Sequence, residues 1–303
     1  MYLVLGDSRD PLCAGVRDAL VGRGYATRII SSALLDPVRF EWRLDTASSA
    51  SALVLDDGVR LRDEDVAGVF VGGIGWIDPV GWASEDLLYV QSETHAALLA
   101  WLWSLDCPVV NRSPASTWYR PNPPLLTWHS RLARAGLPTM DTLVTNLPEE
   151  ARGFVGRGSS TWADAAILGP LTSDARYMVA SNDEWRGLEA LQRRTPVPLS
   201  HPHGAPQFAA VVGERTIWEP AVTPAVARLE PALVAFAADA GLALVEVIFA
   251  PVADGLSVIA VEPRPQLDHF DEAGRTLILE SIADLLTDDV RGRLTAPLAA
   301  AVS

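Results

Sequence analysis

Glu262, Pro263 and Arg264 close an apolar run and put a carboxylate and a guanidinium two residues apart. On a continuing strand residues at that spacing share a face, so they form an ion pair or hold charge at one place. Upstream, Arg112, Arg120 and Asn122 fall in a loop rich in Pro, Ser and Arg that runs from Asn111 to Pro124. A guanidinium matches two oxygens of a carboxylate or phosphate at once, and Arg264 with Arg112 would suit a peptide carboxylate. All 24 basic residues are arginine; the chain contains no lysine. An arginine-favouring coding style produces this at little cost to folding, but it also leaves any phosphate binding to guanidiniums.

Other constellations carry less. His201-Pro202-His203 has close spacing but no Cys or Glu beside it, and the proline restricts convergence of the rings, so no metal site is expected. Asp268 and His269 are adjacent and point apart on an extended chain, which predicts a solvated loop. Gly72-Gly73-Ile74-Gly75 follows a strand but lacks the trailing Lys-Ser/Thr of a phosphate loop, so close backbone approach explains it. Cys13 and Cys107 stand far apart and read as small buried hydrophobes rather than a disulfide. Of the ten tryptophans, Trp76, Trp82, Trp118, Trp128, Trp162 and Trp185 sit in polar or loop-like sequence, where amphipathic rings serve interfaces.

The elements that must position these residues follow from periodicity. Tyr2 to Leu5, an amphipathic stretch from Leu12 to Val21, and Ala26 to Ile30 make a βαβ opening. Leu53 to Leu61 reads as a hairpin around an Asp-Gly turn. Val69 to Val71, a helix from Asp86 to Leu105 and a strand at Pro108 to Val110 complete a small doubly wound domain, 1–112. A helix from Leu125 to Ala135 and a strand from Asp141 to Thr145 follow, then the irregular stretch from Pro148 to Pro206; 113–205 is taken as a central subdomain. The last part, 206–303, shows strands at Gln207 to Val212 and Thr216 to Trp218. A helix from Thr223 to Ala240, two strands around Asp254-Gly255 and a helix from Gly274 to Leu286 complete it.

Composition sets the class. A 303-residue chain of 32.5 kDa with 49% hydrophobic residues buries a large core, which predicts a soluble α/β protein. A net charge of −14 and a pI near 4.7 argue against a nucleic-acid partner, whose binding is driven by cationic side chains. The chain opens on an apolar strand-like run with no basic stretch before it, and no apolar segment reaches bilayer length, so a cytoplasmic, membrane-free protein is expected.

Two blocks resemble the ATP-grasp family. The first runs from Val109-Val110-Asn111-Arg112-Ser113-Pro114 through Asn122-Pro123 to Gly136-Leu137-Pro138 and the strand ending at Thr145. It is similar to the family's entry of strand, Asn-Arg-Pro, Asn-Lys loop, helix, Gly-Leu and strand. The second, Ala240 to Ile248, Asp254-Gly255 and Val258 to Pro265, resembles the closing pair of strands, whose first ends in Asp and whose second carries Glu-x-Asn-Pro. The opening βαβ unit resembles the domain that precedes the grasp in ligases acting on amino acids and ribosomal peptides. The resemblance implies an ATP-grasp-like α/β fold with a reduced grasp domain.

The departures bear on activity. Pro123 replaces one phosphate-side lysine and Gly169 the other, the stretch from Leu199 to Gly204 lacks the adenine-hinge pattern, and Ala205-Pro206-Gln207 stands where the family has Asp-x-Arg. At the metal, Ile248 aligns with Asp, Glu262 is kept and Arg264 replaces Asn. A guanidinium at a metal position repels the ion, by about 4 kcal/mol per pair of unit charges at about 4 Å and an effective dielectric of about 20.

The resemblance therefore implies a catalytically inactive, peptide-binding pseudoenzyme without cofactor, of the type found in crocagin-like pathways of ribosomal-peptide natural products. It would capture a precursor (leader) peptide and present it to a partner enzyme. Glu262, Arg264, Asn122, Arg120 and Arg112 would mark a vestigial nucleotide and metal site. An exposed strand between Asp183 and Val212, with Asp183, Trp185 and Arg186, is the expected peptide surface. The alternative is an active carboxylate-amine ligase using ATP and Mg²⁺, with Arg in place of Lys; a third is a non-binding subunit supporting an active ligase. Related ligases form homodimers, so a dimer through apolar helical faces is expected.

Overall fold

A computed structural model describes residues 1–31, 39–44, 49–55, 57–73, 80–112, 125–158, 165–168, 176–179, 182–200, 205–252 and 255–287. By contact the chain groups into two units: Met1–Tyr119 with Gly241–Ala243 and Arg275–Ser303, and Arg120–Ala240 with Leu244–Gly274. The sequence pattern instead divides it after 112 and 205.

The first unit holds β1 (Tyr2–Leu5), α1 (Pro11–Gly22), β2 (Thr27–Ile30), β3 (Arg39–Leu44), β4 (Ser49–Val54), β5 (Arg60–Arg62), β6 (Gly68–Val71), α2 (Ser84–Ser104) and β7 (Val109–Val110). Asp10 caps α1 by accepting from the Leu12 N–H at 2.9 Å, and Pro11 supplies the fixed φ of a first helical turn. A parallel sheet forms in the order β2-β1-β6-β7. Its central strands read Leu3-Val4-Leu5 and Val69-Phe70 and are wholly buried, as a parallel sheet covered on both faces requires. Leu98, Trp101 and Leu102 of α2 join this core.

The hairpin at the Asp-Gly turn is present as β4 and β5, with Gly58 at φ 80°, and β3 adds a third antiparallel strand. Phe40, Leu53 and Leu61 turn one face of this meander into the same core. β3 was legible: Arg39-Phe40-Glu41-Trp42-Arg43 alternates polar and apolar residues at the strand period.

The second unit holds α3 (Leu125–Arg134), β8 (Thr142–Thr145), α4 (Pro148–Gly158), β9 (Ala165–Leu168), β10 (Arg176–Val179), α5 (Asn182–Gln192) and β11 (Val197–Ser200). It continues with β12 (Gln207–Val212), β13 (Arg215–Glu219), α6 (Pro224–Ala227), α7 (Glu230–Ala240), β14 (Leu244–Val252) and β15 (Gly255–Glu262). α8 (Glu272–Thr287) then leads back into the first unit. Two antiparallel sheets result, β10-β9-β11-β8 and β13-β12-β14-β15. On the second, Pro138 to Met140 docks beside β15: the Val258 N–H donates to Pro138 O at 2.7 Å and the Met140 N–H to Val258 O at 3.2 Å. Trp128 of α3 packs on Phe236 of α7 with ring centroids 5.6 Å apart.

Two expectations fail here. The run from Thr223 to Ala240 is two helices, because Pro231 has no N–H for the carbonyl of Ala227 and its ring crowds that turn. Nor do the described residues of 183–212 offer an unpaired strand: Asp183 to Gln192 is helical, β11 lies between β9 and β8, and β12 lies between β13 and β14.

Candidate functional site

The second sheet of the second unit, β13-β12-β14-β15, sets its chemistry by register. Phe208 of β12 pairs with Ile248 of β14, which pairs with Ala260 of β15; one step along, Ala210 pairs with Glu246 and Glu246 with Glu262. Cross-strand partners share a face, so Phe208, Ile248, Glu246 and Glu262 lie on one side of the sheet. A bulge between Ile248 and Phe249 shifts the register beyond them.

Glu246 is completely buried in the middle of an apolar strand. An ionised carboxylate there must be compensated, and two donors reach it from the segment after β15. The Gln266 N–H donates to its Oε2 at 3.1 Å, and His269 Nδ1 lies 2.7 Å from its Oε1. A carboxylate only accepts, so the ring donates from Nδ1. The imidazole also stacks on Phe208, with centroids 4.1 Å apart and planes 18° apart. Leu267–His269 forms one 3₁₀ turn pinned over the sheet by these contacts. His269 is therefore an anchored, three-quarters-buried side chain and not part of a solvated loop. Sequence reasoning passed over Glu246; its signal is a lone acid inside Leu244-Val245-Glu246-Val247-Ile248-Phe249, which needs a partner wherever that run is buried.

The metal positions expected from the resemblance can be tested on this face. Ile248 stands at the aligned acidic position and is 4% exposed. Glu262 is half-buried at the end of β15. The strand stops there, since Pro263 and Pro265 cannot donate to a ladder, and Arg264 beyond its end is exposed. Among the described residues no three His, Cys, Asp or Glu side chains converge as metal ligands. Magnesium wants several oxygens in octahedral order; an isoleucine, one glutamate and an arginine do not provide that set.

Of the remaining site residues, Arg112 belongs to the first unit. It is half-buried, donates to Leu105 O at 3.1 Å and lies 5.4 Å from the Trp103 ring centroid. Burial pulls its pKa below the usual arginine value. Asn111 beside it is buried at φ 60°, a left-handed conformation that asparagine tolerates. Arg120, Asn122, Pro123, Gly169 and His201 to Gly204 lie outside the described residues, as do Trp76, Trp118 and Trp162. Trp185 and Trp128 are core side chains, 3% and 1% exposed, not interface rings. Trp185 packs with Ala151, Leu188, Val197 and Leu199, and so holds α5 against its sheet. Asp183 and Arg186 form an exposed ion pair at 3.3 Å on α5. Ser200 ends β11 fully buried, and its hydroxyl has no hydrogen-bond partner among the described residues.

No protein-family model matches the sequence, and no curated protein does. Solved structures do. A ribosomal-peptide-associated (RiPP) ATP-grasp ligase of Chryseobacterium gregarium, in complex with ADP and a leader and core peptide, matches with TM-score 0.73 at 16% identity, over 98% of this chain and 97% of that one. The fold is that of the ATP-grasp ligases. The macrocyclase MdnC of Microcystis aeruginosa, bound with its precursor peptide MdnA, matches at TM-score 0.72 and 17% identity, over 94% and 99% of the two chains. The ATP-grasp ligase PsnB with a minimal precursor, Mg and ADP follows at TM-score 0.69 and 19% identity, over 94% and 96%. The likeness in fold thus covers 94–98% of this chain.

Proposed function

We propose that this chain is a peptide-binding protein on an ATP-grasp fold that recognises a ribosomally made precursor peptide and presents it to a partner enzyme without catalysing ATP-dependent ligation itself. The observation that carries the inactive reading is the sheet face at β14 and β15. A buried isoleucine holds the acidic position, and the nearest additional carboxylate, Glu246, is committed to Gln266 and His269. Support for a peptide ligand comes from the like-folded ligases, each solved with precursor, leader or core peptide. Asp183 and Arg186 on the open side of α5 are the proposed peptide contacts, with Trp185 fixing the helix beneath them.

The protein works as a homodimer in this reading, through the first turns of α2. Residues 84–94 of that helix contain no buried side chain, and Leu88 and Tyr89 are 67% and 68% exposed, with Trp82 and Val80 just before them.

The alternative, a carboxylate-amine ligase with arginines in place of lysines, draws on the nucleotides and Mg named with the similar structures and on the orphaned Ser200 hydroxyl at the end of β11. Calorimetric titration with ATP and excess Mg²⁺ separates the two. No heat and no thermal stabilisation at millimolar nucleotide is the expected result; micromolar binding would overturn it in favour of the ligase.

A further inference from the structure

The β3-β4-β5 meander turns its apolar side to the core and leaves the other side to solvent, and that side is built from arginines. Register places Arg39, Glu41 and Arg43 of β3 on one face with Ala50 and Ala52 of β4 and Arg60 and Arg62 of β5. The middle strand contributes Ala50 and Ala52, with Val54 between Arg39 and Arg60 at one end. The face is thus a shallow trough between two arginine-bearing strands, about 10 Å apart at two strand spacings. A groove of about 680 Å³ lies there, lined by Arg43, Arg60 and Arg62 and by Glu41, Asp63 and Glu64.

The charges are available for exchange. Arg60 pairs with Glu41 at 2.8 Å and Arg62 with Glu64 at 2.9 Å, but all four side chains are at least half exposed, and pairs of that kind contribute little. Arg39 and Arg43 have no ion-pair partner among the described residues. Arg39, Arg43, Arg60 and Arg62 against Glu41, Asp63 and Glu64 leave this face one positive charge in excess, in a molecule of net charge −14.

We infer that this trough is a docking site for an acidic peptide segment in extended conformation. A single extended chain fits the width, and its alternate carboxylates repeat at about 6.6 Å, the spacing of Arg60 and Arg62 on their strand. Each guanidinium takes a carboxylate by paired hydrogen bonds. A long polyanion such as nucleic acid is opposed by the surrounding negative charge, which a short peptide avoids. The site lies in the first unit and stands independently of the peptide contacts proposed on α5.

The test is fluorescence anisotropy of the full chain with a labelled peptide of alternating glutamate and glycine, compared with its glutamine analogue and a single-stranded oligonucleotide. The glutamate peptide alone should bind at low ionic strength and be released by salt, as the screening length falls from about 30 Å at about 0.01 M to about 3 Å at about 1 M. Arg43→Glu with Arg62→Glu should lower its affinity at least about tenfold, in keeping with the loss of two charge-assisted contacts. Arg39→Ala with Arg43→Ala, which breaks no ion pair described above, should weaken it with an unchanged melting temperature. Arg193→Glu with Arg194→Glu on the other unit alters net charge equally and should leave it intact. Equal binding of the glutamine peptide, preference for the oligonucleotide, or an equal loss in the 193/194 variant would overturn the proposal.

Discussion

Glu246 concentrates the site's energetics in one side chain. Hydrogen bonds to a charged group contribute about 1.5–3 kcal/mol each, and a buried acceptor that loses its match adds a desolvation cost. Glu246→Gln turns one oxygen into a donor that faces another donor, and should destabilise the protein by about 2–4 kcal/mol in urea denaturation. His269→Ala removes one of the contacts described above, from a partly exposed side chain, and should cost less. In the double variant the two losses should not add, because the pair is one interaction. His129 supplies a pH handle. Half-buried on α3, it is held below its ordinary 6.5 by desolvation. Below pH 6.5 the unfolded chain takes up that proton before the folded one, so stability falls on acidification; His129→Gln should flatten that part of a stability–pH curve. Neither residue was singled out by sequence correctly. Motif reasoning weighs residues that stand close along the chain, whereas Glu246 and His269 are 23 positions apart and meet only when the turn after β15 folds back.

At the scale of elements, periodicity located most of what the fold contains. The βαβ opening, the Asp-Gly hairpin, α2, and the pair β14 and β15 all carry clean periods or turn residues. What it missed is β3, whose alternation at Arg39 to Arg43 went unread, and the stretch between 148 and 206, where each strand is four residues long and too short for a period to declare itself. Trp185 was hidden too: a tryptophan between Glu184 and Arg186 in sequence reads as polar surface, yet on its helix it is buried while Arg186 is exposed. Trp185→Ala should cost about 3–5 kcal/mol, as a large core truncation does, while Arg186→Glu should change stability by less than about 0.5 kcal/mol. If α5 is the peptide surface, the second variant still weakens precursor binding; unchanged affinity removes that surface. The strand ends of the first unit give a further check. A Cβ at Gly72 would stand 2.4 Å from Cys13 Sγ, 3.1 Å from Phe70 and 3.2 Å from Leu5 O. Gly72→Ala should therefore destabilise by about 1–3 kcal/mol, and adding Cys13→Ala should recover part of that loss in thermal melts.

For the whole molecule, fold class was readable because the resemblance rests on the order of elements, which survives at identities of 16–19% to the solved ligases. The inactive reading proposed above rests on an argument from lost side chains and not on the fold, since one fold supports both working and silent sites. Assembly is the testable consequence at this scale. Sedimentation velocity should give a dimer, and Leu88→Glu with Tyr89→Glu should give a monomer of unchanged melting temperature, because neither residue contributes to a core.

The return of α8 to the first unit has a bearing on how the protein is made. A Cβ at Gly15 in α1 would meet Leu279 of α8 at 2.6 Å, and Arg23 bonds Asp284 from 261 positions away. The ribosome therefore releases α1 long before its packing partner exists. Throughout elongation α1 carries an uncovered face at Gly15 and Arg23, which closes when α8 emerges. A chain ended after Gly274 should keep that face open, and limited proteolysis should cut it within residues 1–31 while the full chain resists.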